Sequence, residues 1–356
     1  RAGWPRAGTR HRPGETTDMM HVLFIGGTGL ISTATARQLL EAGHRVTLFN
    51  RGRSENRLPD GLAYEVIHGD RKDYAAFEAA FADKTYDVVV DMVGFHPDDA
   101  ASAVRAFNGR CGQYLFCSTV CVYSGPTEQI PTTETEPYHS IGSYGKNKAL
   151  CEKLLLEAHE KHGFPVTILR PSHSYGEGAM LTRPFGRRET FIDRLRKRKP
   201  VIVPGDGTSL WASCHVDDVA RGFIATMGNG ACVGEAYHIT GEEWMTWNRY
   251  HEIVAHVAGG TYDPVYIPTE TLARCLPALS GGTREIFAWP SIFTMDKLKR
   301  DTGYPGQSLP FSEGLRRNLA WMDANDKHAD SDALDTDEDA FIAAWRAGQA
   351  NLPVKE

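Results

Sequence analysis

The sequence predicts an α/β fold of the Rossmann type, in which a doubly wound parallel sheet is followed by a smaller C-terminal α/β lobe. Two observations carry this prediction. Apolar strands alternate with helical segments between residues 21 and 169, and several strands are apolar on both faces, as buried parallel strands are. In addition, a glycine-rich turn, Gly26 to Gly29, separates the first strand from the first helix.

The predicted elements follow one another in a regular order. In the first half, strands are expected at residues 21–26, 45–49, 62–67, 86–90, 113–123 and 165–169. Helices are expected after the glycine-rich turn and at residues 75–81, 100–107 and 143–159. After residue 175 the alternation loosens, and the expected elements are a basic helix at 189–198, strands at 201–203 and 236–239, and a helix at 216–227.

Composition excludes several classes of protein. The chain has 356 residues and a net charge of −6, so no global positive field attracts nucleic acid or an anionic membrane. Its seven cysteines are odd in number and form no C-x-x-C pair, which indicates reduced thiols rather than a zinc site. No apolar run approaches the ~18 residues that span a bilayer. We therefore expect a cytoplasmic protein with no metal site, membrane or nucleic-acid partner.

The glycine-rich turn has the spacing of a site for the pyrophosphate of a dinucleotide. Gly26, Gly29 and Ser32 occupy the three positions of G-x-x-G-x-x-G, and serine is small enough to replace the third glycine. The glycines let the backbone approach the phosphates, and the helix dipole favours their negative charge. The residues expected at this site are Gly26, Thr28, Gly29, Leu30 and Ile31.

The second strand ends without the acidic residue that binds the ribose hydroxyls of NAD. Asn50 is neutral, and Arg51 and Arg53 follow it. These arginines could bind a 2′-phosphate or could simply be solvated, and the first interpretation favours NADP over NAD. Asp70, after the third strand, is expected to accept a hydrogen bond from the adenine amino group.

Three residues suggest acid–base chemistry on a substrate hydroxyl group. Tyr144 and Lys148 are four positions apart on one predicted helix and therefore share a face. The lysine charge is expected to lower the tyrosine pKa, which would make the phenol a usable general acid or base. Thr119 would hydrogen-bond the same substrate oxygen.

Taken together, these motifs resemble the extended short-chain dehydrogenase/reductases of the nucleotide-sugar epimerase and dehydratase group. The resemblance covers about residues 20 to 240, and Thr119 lies 25 positions before Tyr144, as in that family. Its further markers are Gly69-Asp70, Val122-Tyr123, Arg170-Pro171, Tyr175-Gly176 and His215 to Asp218. Other expected cofactor contacts are Arg71, Val93, Lys148, Pro171 and His173, and Ser118 is expected to contact the substrate.

Two departures from the family pattern bear on the reaction. The 4,6-dehydratases of the family have Asp-Glu after the catalytic threonine, but this chain has Val120-Cys121, which disfavours dehydration. Trp211 replaces an arginine that contacts a diphosphate. Either the charge comes from Arg183, Arg187 or Arg188, or the substrate is not a nucleoside diphosphate sugar. Trp211 itself could stack on a substrate ring or be buried.

Cys121 has two interpretations. In a continuous strand, residues 119 and 121 point to the same face, so the thiol is expected near the reacting centre. It could be an acid/base group, as in 3,5-epimerases that resemble this family, or a small filler. The filler interpretation is favoured, because free cysteine usually behaves as a small apolar residue.

The leading functional hypothesis is an NAD(P)-dependent epimerase of a sugar, sugar nucleotide or nucleoside-like substrate. It would act by transient oxidation to a ketone and return of the hydride. One alternative is a ketoreductase or dehydrogenase, and another is an RNA-binding protein similar to the chloroplast stem-loop-binding branch of this superfamily. The expected partner is a small molecule, and a homodimer is left open.

Four regions follow from these observations. Residues 1–18 are expected to be a disordered extension, and residues 19–180 a dinucleotide-binding domain. Residues 181–322 are expected to form a substrate-binding lobe that partly returns to the main sheet. Residues 323–356 would be an acidic, solvated linker with a short helix at 341–346, because the acidic stretch lacks the central glycine and terminal glutamate of a calcium loop.

Overall fold

The computed structural model describes residues 19–53 and 57–351, so the extension expected at residues 1–18 lies outside the described residues. The strands within these ranges are β1 (His21–Ile25), β2 (Arg45–Asn50), β3 (Glu65–His68), β4 (Tyr86–Asp91), β5 (Cys111–Cys117), β6 (Val166–Pro171), β7 (His173–Tyr175), β8 (Val201–Pro204), β9 (Leu210–Trp211), β10 (Ser213–His215), β11 (Ala236–Ile239), β12 (Met245–Thr246) and β13 (Pro264–Ile267). The α-helices within them are α1 (Leu30–Glu41), α2 (Tyr74–Ala80), α3 (Pro97–Phe107), α4 (Ser143–His162), α5 (Phe191–Arg196), α6 (Val216–Thr226), α7 (Trp247–Ala258), α8 (Thr269–Cys275), α9 (Asp296–Thr302), α10 (Phe311–Ala324), α11 (Ser331–Leu334) and α12 (Thr336–Ala350).

The main sheet has seven parallel strands in the order β11-β6-β5-β4-β1-β2-β3, which confirms the predicted fold class. The chain runs outward from β1 to β3, then crosses back to β4 and runs outward the other way. This reversal opens a crevice at the carboxyl ends of β1 and β4, where ligands bind in such sheets. The segments expected to hold cofactor and substrate follow β1, β2, β4 and β5 at this edge.

Helices cover both faces of the sheet. On one face α1, α6 and α9 enclose a core that contains Leu39 and Phe223, both fully buried. On the other face α2, α3 and α4 enclose Phe107 and Leu155, also fully buried. Strands covered on both faces have to be apolar on both faces, which is the pattern that the sequence shows.

The second lobe is built from small sheets and helices. β8 pairs with β13, β9 with β12 and β7 with β10, around a core in which Trp211 and Trp247 stack at 4.6 Å. α6 and β11 return to the main sheet, where β11 pairs with β6. Within the described ranges no helix combines the length and the apolar character needed to cross a membrane.

Two predicted elements are wrong. The strand expected at 113–123 ends at Cys117, and Val120–Tyr123 form a 3₁₀ turn instead. The stretch expected to be an acidic solvated linker holds the end of α10, then α11 and the 15-residue α12. Asp335 and Glu338 are fully buried there. The solvated-linker prediction failed because it treated the charge run on its own, whereas arginines distant in sequence neutralise it.

Candidate active site and cofactor cleft

The glycine-rich turn joins β1 to α1 at the crevice. Gly26 has φ +85°, and a Cβ atom at this position would collide with Val93. Gly29 caps α1, and Ser32 accepts a hydrogen bond of 2.8 Å from the Gly29 amide and donates one of 3.3 Å to its carbonyl. Ser32, at the position of the third glycine, therefore stabilises the turn through these two hydrogen bonds. Because its glycines have no side chains, the turn leaves backbone groups at the N-terminus of α1 open to a ligand, which fits the pyrophosphate of a dinucleotide.

Leu30 and Ile31, which were expected to contact the cofactor, are the first two residues of α1 and lie beside this turn. Thr28 is tied to the loop after β2, because Arg57 Nη2 lies 3.3 Å from its carbonyl oxygen. Arg57 was missed by the sequence analysis. The arginine-rich stretch after β2 was the available signal, but nothing in it distinguished Arg57 from its neighbours.

The residues predicted to contact the adenosine part of the cofactor lie at the ends of β2 and β3. Asn50 ends β2 and accepts a hydrogen bond of 2.9 Å from the Gly52 amide, and Arg51 and Arg53 are exposed beside it. Asp70 is exposed at the end of β3, and its carboxylate accepts from the Lys72 amide at 2.9 Å. These side chains are accessible to a nucleotide.

Arg71 does not fit its predicted role. The residue is only 6% exposed, and its guanidinium lies 3.6 Å from the Asp91 carboxylate and 4.0 Å above the Phe77 ring. The side chain is thus used inside the domain, where its charge is paired and its plane packs on an aromatic face. It is not available to contact a cofactor.

Lys148 is held rigidly beneath the crevice. Its ammonium donates hydrogen bonds of 2.9 Å to the Gly94 carbonyl and 2.6 Å to the Cys117 carbonyl. It also lies 4.7 Å from the Phe95 ring centre and 4.6 Å from that of Phe116. These contacts hold the ammonium between the ends of β4 and β5, where the residue is buried and only 1% exposed.

The hydroxyl groups of Thr119 and Tyr144 meet beside the 3₁₀ turn. Thr119 caps the 3₁₀ turn, and its hydroxyl accepts a hydrogen bond of 3.1 Å from the Cys121 amide. Tyr144 is 48% exposed as a whole residue, but its hydroxyl end lies among Thr119, Cys117 and Cys121. The two hydroxyl groups are therefore placed to share one substrate oxygen.

The Tyr144 pKa is raised, whereas the sequence predicted that Lys148 would lower it, and Lys148 is not among the groups that shift it. Burial raises the pKa of the Tyr144 phenol above its ordinary value, Cys117 and Cys121 raise it further, and a hydrogen bond with Thr119 lowers it. Because burial disfavours the phenolate, the phenol is a proton donor at neutral pH.

Gly145 explains how the catalytic helix approaches the 3₁₀ turn. A Cβ atom at this position would collide with the Cys121 carbonyl and with the Ser140 hydroxyl. Only glycine therefore lets the first turn of α4 pack against Val120–Tyr123. The Tyr-Gly pair at 144 and 145 was visible in the sequence, but its packing role was not predicted.

The Cys121 thiol lies at the site, as expected, but strand alternation is not the reason. Cys121 is in the 3₁₀ turn, so strand alternation does not apply to it. Burial raises the pKa of its thiol, and the charge of Glu285 raises it further. A neutral thiol agrees with the filler interpretation, which stays a prediction.

Ser118 is part of a buried polar network rather than of a substrate pocket. Its hydroxyl donates to the Glu152 carboxylate, which also forms an ion pair of 2.5 Å with Arg170. Arg170 donates to the hydroxyl groups of Tyr123 and Tyr138. This network joins the end of β5 to α4 and β6, so it holds the segments that bear Thr119 and Tyr144 together.

Pro171 and His173 flank the carboxyl end of β6. Pro171 is its last residue, and His173 Nδ1 lies 3.0 Å from the Ser213 hydroxyl. Burial lowers the pKa of His173 to about 3, with a smaller contribution from Arg188. His173 is therefore neutral at physiological pH.

Two predicted substrate residues are structural instead. Arg183 is fully buried in an ion pair of 2.6 Å with Glu338 on α12. Trp211 is 3% exposed, stacks on Trp247, and donates from Nε1 to the Ser213 hydroxyl at 3.0 Å. Both side chains are buried and partnered within the protein, so nothing in the structure supports their predicted substrate contacts, which stay predictions. Within the described residues, no cluster of three or more His, Cys, Asp or Glu side chains is arranged to hold a metal ion.

Comparisons with known proteins agree with this geometry. The model of the NAD dependent epimerase/dehydratase family matches residues 22–240. The chain is 30% identical to the chloroplast stem-loop binding protein of 41 kDa b from Arabidopsis thaliana over 68% of this chain and 64% of that protein, so it spans less than two thirds of that relative. It is 25% identical to 2′-dehydrokanamycin reductase from Streptomyces kanamyceticus over 80% of this chain and 79% of that protein.

A solved structure shares the fold. The UDP-glucose 4-epimerase of Thermotoga maritima, in complex with UDP-glucose, matches with a TM-score of 0.69 at 22% identity, over 86% of this chain and 99% of that one. The family model, the sheet order and the presence of Thr119, Tyr144 and Lys148 agree with one another. The chain belongs to the NAD dependent epimerase/dehydratase family and is an enzyme of the extended short-chain dehydrogenase/reductase type.

Proposed function

We propose that this enzyme reduces a ketone to a secondary alcohol on a small polyhydroxylated substrate, with NADPH as the hydride donor. The observation that carries the proposal is the meeting of the Thr119 and Tyr144 hydroxyl groups, with the Lys148 ammonium held one helical turn further along α4. This set can bind one carbonyl oxygen and deliver one proton to it.

Each residue has a distinct role in this reaction. A bound nicotinamide supplies the hydride. Thr119 and Tyr144 donate hydrogen bonds to the carbonyl oxygen and so orient the ketone. As negative charge develops on that oxygen, Tyr144 transfers its phenolic proton to it, and the role proposed for Lys148, one helical turn away, is to stabilise the resulting phenolate once cofactor and substrate are bound. The raised pKa of Tyr144 supports this direction, because the phenol starts the reaction protonated.

The distribution of charge favours a reductase over an epimerase of nucleotide sugars. Such an epimerase has to hold its substrate by the diphosphate while the keto sugar turns. Of the three arginines that could bind it, Arg183 is buried against Glu338 and Arg187 is paired with Asp335 and Asp337, which leaves Arg188, exposed to solvent. The relative from Streptomyces kanamyceticus is also a reductase by name, over most of both chains. Epimerisation is therefore the second candidate, supported by the family and by the UDP-glucose 4-epimerases among the relatives.

The proposal of NADP rests on the loop after β2. Arg51 and Arg53 are exposed next to the neutral Asn50, and Arg57 contacts the glycine-rich turn through the Thr28 carbonyl. Guanidinium groups bind phosphate well, and NAD lacks a phosphate at the 2′ position.

RNA binding is the least supported alternative, although a chloroplast relative is named for it. Part of the basic segment at residues 183–199 is neutralised by carboxylates: Arg194 pairs with Asp335 and Asp339, and Lys199 pairs with Asp339. Paired charges release few counterions when a polyanion binds.

Oxidation of NADPH in the presence of ketose and keto-cyclitol substrates tests the proposal. We expect stoichiometric consumption of the cofactor and formation of an alcohol. Tyr144→Phe should lower turnover by about 10² or more, the usual scale for acid–base catalysis, while folding and cofactor binding are retained. Tyr266→Phe, at an exposed tyrosine on β13, is the matched control and should be fully active.

Two results would contradict the proposal. Conversion of an alcohol into its isomer with no net change in cofactor would establish the epimerase. Full activity of Tyr144→Phe on the true substrate would remove this residue from the mechanism.

A further inference from the structure

Arg57 lies where the loop after β2 meets two other loops of the crevice. Its Nη2 atom lies 3.3 Å from the carbonyl oxygen of Thr28, the residue before the N-cap of α1. A Cβ atom on Gly178 would collide with the guanidinium, so the side chain also packs against the segment that follows β7. The guanidinium is thus held between the glycine-rich turn and a loop that leads into the second lobe.

Arg57 shares a cleft with the start of α1. The cleft has a volume of about 810 Å³, and its lining includes both Arg57 and Leu30, the first residue of the helix. A volume of this size is typical of sites for small molecules and cofactors. A ligand at the N-terminus of α1 is therefore open to the same space as the guanidinium.

The carboxylates of this cleft do not neutralise Arg57. Two of the three that line it, Glu177 and Asp217, pair with other arginines at 2.7 and 2.6 Å, and the third, Asp60, is exposed. In the described part of the chain none of the three forms an ion pair with Arg57, whose contact with Thr28 is to a neutral carbonyl oxygen. A guanidinium has five N–H donors, so this contact leaves others for an anion.

The glycine-rich turn supplies no full positive charge of its own. Residues 26–32 contain no lysine or arginine, so the turn offers a phosphate only backbone amides and the partial charge of the helix end. That partial charge is equivalent to about half an elementary charge, whereas each phosphate of a dinucleotide carries a negative charge. A cationic side chain beside the turn would supply the missing charge.

We infer that Arg57 binds the pyrophosphate of the dinucleotide, together with the backbone amides of the glycine-rich turn. Its position differs from that of Arg51 and Arg53, which are exposed beside the end of β2, where the ribose is expected. Guanidinium and phosphate groups form charge-assisted hydrogen bonds that are often bidentate. Because NAD and NADP share the pyrophosphate, the inference goes beyond the proposed reductase and applies to either cofactor and either candidate reaction.

Binding of NADP and of NAD, measured by titration calorimetry without substrate, tests the inference. Arg57→Met keeps a long side chain but removes the charge, and it should weaken both cofactors by the same factor of about ten or more, since a hydrogen bond to a charged group contributes about that much. Arg249→Met removes an exposed charge from α7 and is the matched control, which should bind both cofactors as the wild type does.

A second measurement separates contact with the nucleotide from support of the turn. Phenylglyoxal modifies arginine side chains, and mass spectrometry of peptides locates the modified residues. Saturating ADP-ribose, which has the pyrophosphate but no 2′-phosphate, should slow the modification of Arg57 severalfold and leave that of Arg249 unchanged. This measurement uses the wild type, so it decides the question even if Arg57→Met does not fold.

The outcomes that would overturn the inference are distinct. Loss of affinity for NADP alone would assign Arg57 to the 2′-phosphate, with Arg51 and Arg53. Unchanged affinity for both cofactors, or unchanged modification of Arg57 in the presence of ADP-ribose, would show that the residue does not touch the pyrophosphate. Neither measurement involves a ketone, so this inference and the proposed reductase fail separately.

Discussion

Arginines in two regions of this molecule have opposite surroundings. Arg51 and Arg53, after β2, are exposed to solvent at the edge of the cofactor crevice. Arg183 and Arg194, in the second lobe, have fully buried side chains, and each forms an ion pair with a carboxylate of the C-terminal helices. Arg51, Arg53 and Arg183 had the same expected role, the binding of a phosphate, and Arg194 had none. An arginine is therefore available to a ligand only where the fold has not already neutralised it.

The ion-paired region functions as a clamp on the C-terminus. Arg194 lies 3.1 Å from Asp335 and 2.8 Å from Asp339, and Arg187 lies 2.9 Å from Asp337. Carboxylates on α11 and α12 thereby neutralise a basic segment that is more than 130 residues away in sequence. The acidic stretch is folded because its charges have these partners.

The largest expected effect is on this clamp. Glu338→Gln leaves the buried Arg183 charge without its partner, and loss of one member of a buried pair costs about 3–5 kcal/mol of unfolding free energy. Urea denaturation followed by circular dichroism measures this loss. Asp337→Asn is the control, because its carboxylate is 43% exposed and an exposed pair contributes about 1 kcal/mol or less. Equal losses in both variants would contradict the contrast between the two regions.

A smaller effect is expected at the cofactor edge. Replacement of both Arg51 and Arg53 by alanine should weaken NADP binding by about tenfold and leave NAD binding unchanged, because only NADP has the 2′-phosphate. Fluorescence titration with each cofactor measures both affinities. Arg300→Ala combined with Arg316→Ala removes two exposed charges elsewhere and serves as the control. If the Arg51 and Arg53 variant lost both cofactors equally, these arginines would not distinguish them.

The smallest effect is expected at Cys121. Cys121→Ser should change turnover by no more than about twofold, because the buried thiol has a raised pKa and the proposed proton donor is the phenol of Tyr144. Product formed in D₂O should carry no deuterium on the carbon next to the carbonyl group. Deuterium there, lost in Cys121→Ser, would show that the thiol exchanges an α-proton and would make this an enolising enzyme.

Patterns among neighbouring residues were sufficient to predict the glycine-rich turn and the arrangement of Tyr144 and Lys148. Gly26 and Gly29 lie in a turn between a strand and a helix, and Tyr144 and Lys148 lie one helical turn apart, so neighbours in sequence define both arrangements. Thr119 follows from the same logic, since it comes just after a strand that ends at the crevice. Such features depend on a few consecutive backbone angles, and those are encoded by the residues themselves.

The sequence by itself determined the parallel sheet, the crevice at its carboxyl edge and the residues that meet there. Tertiary structure alone decided which charges remain free. Arg71, Arg183 and Trp211 have suitable chemistry for a ligand, but packing turned each of them inward, and Glu285 reached the catalytic helix from a segment about 140 residues away. The physical reason is that strand and helix periodicity act over a few residues, whereas burial and charge pairing depend on groups that only the folded chain brings together.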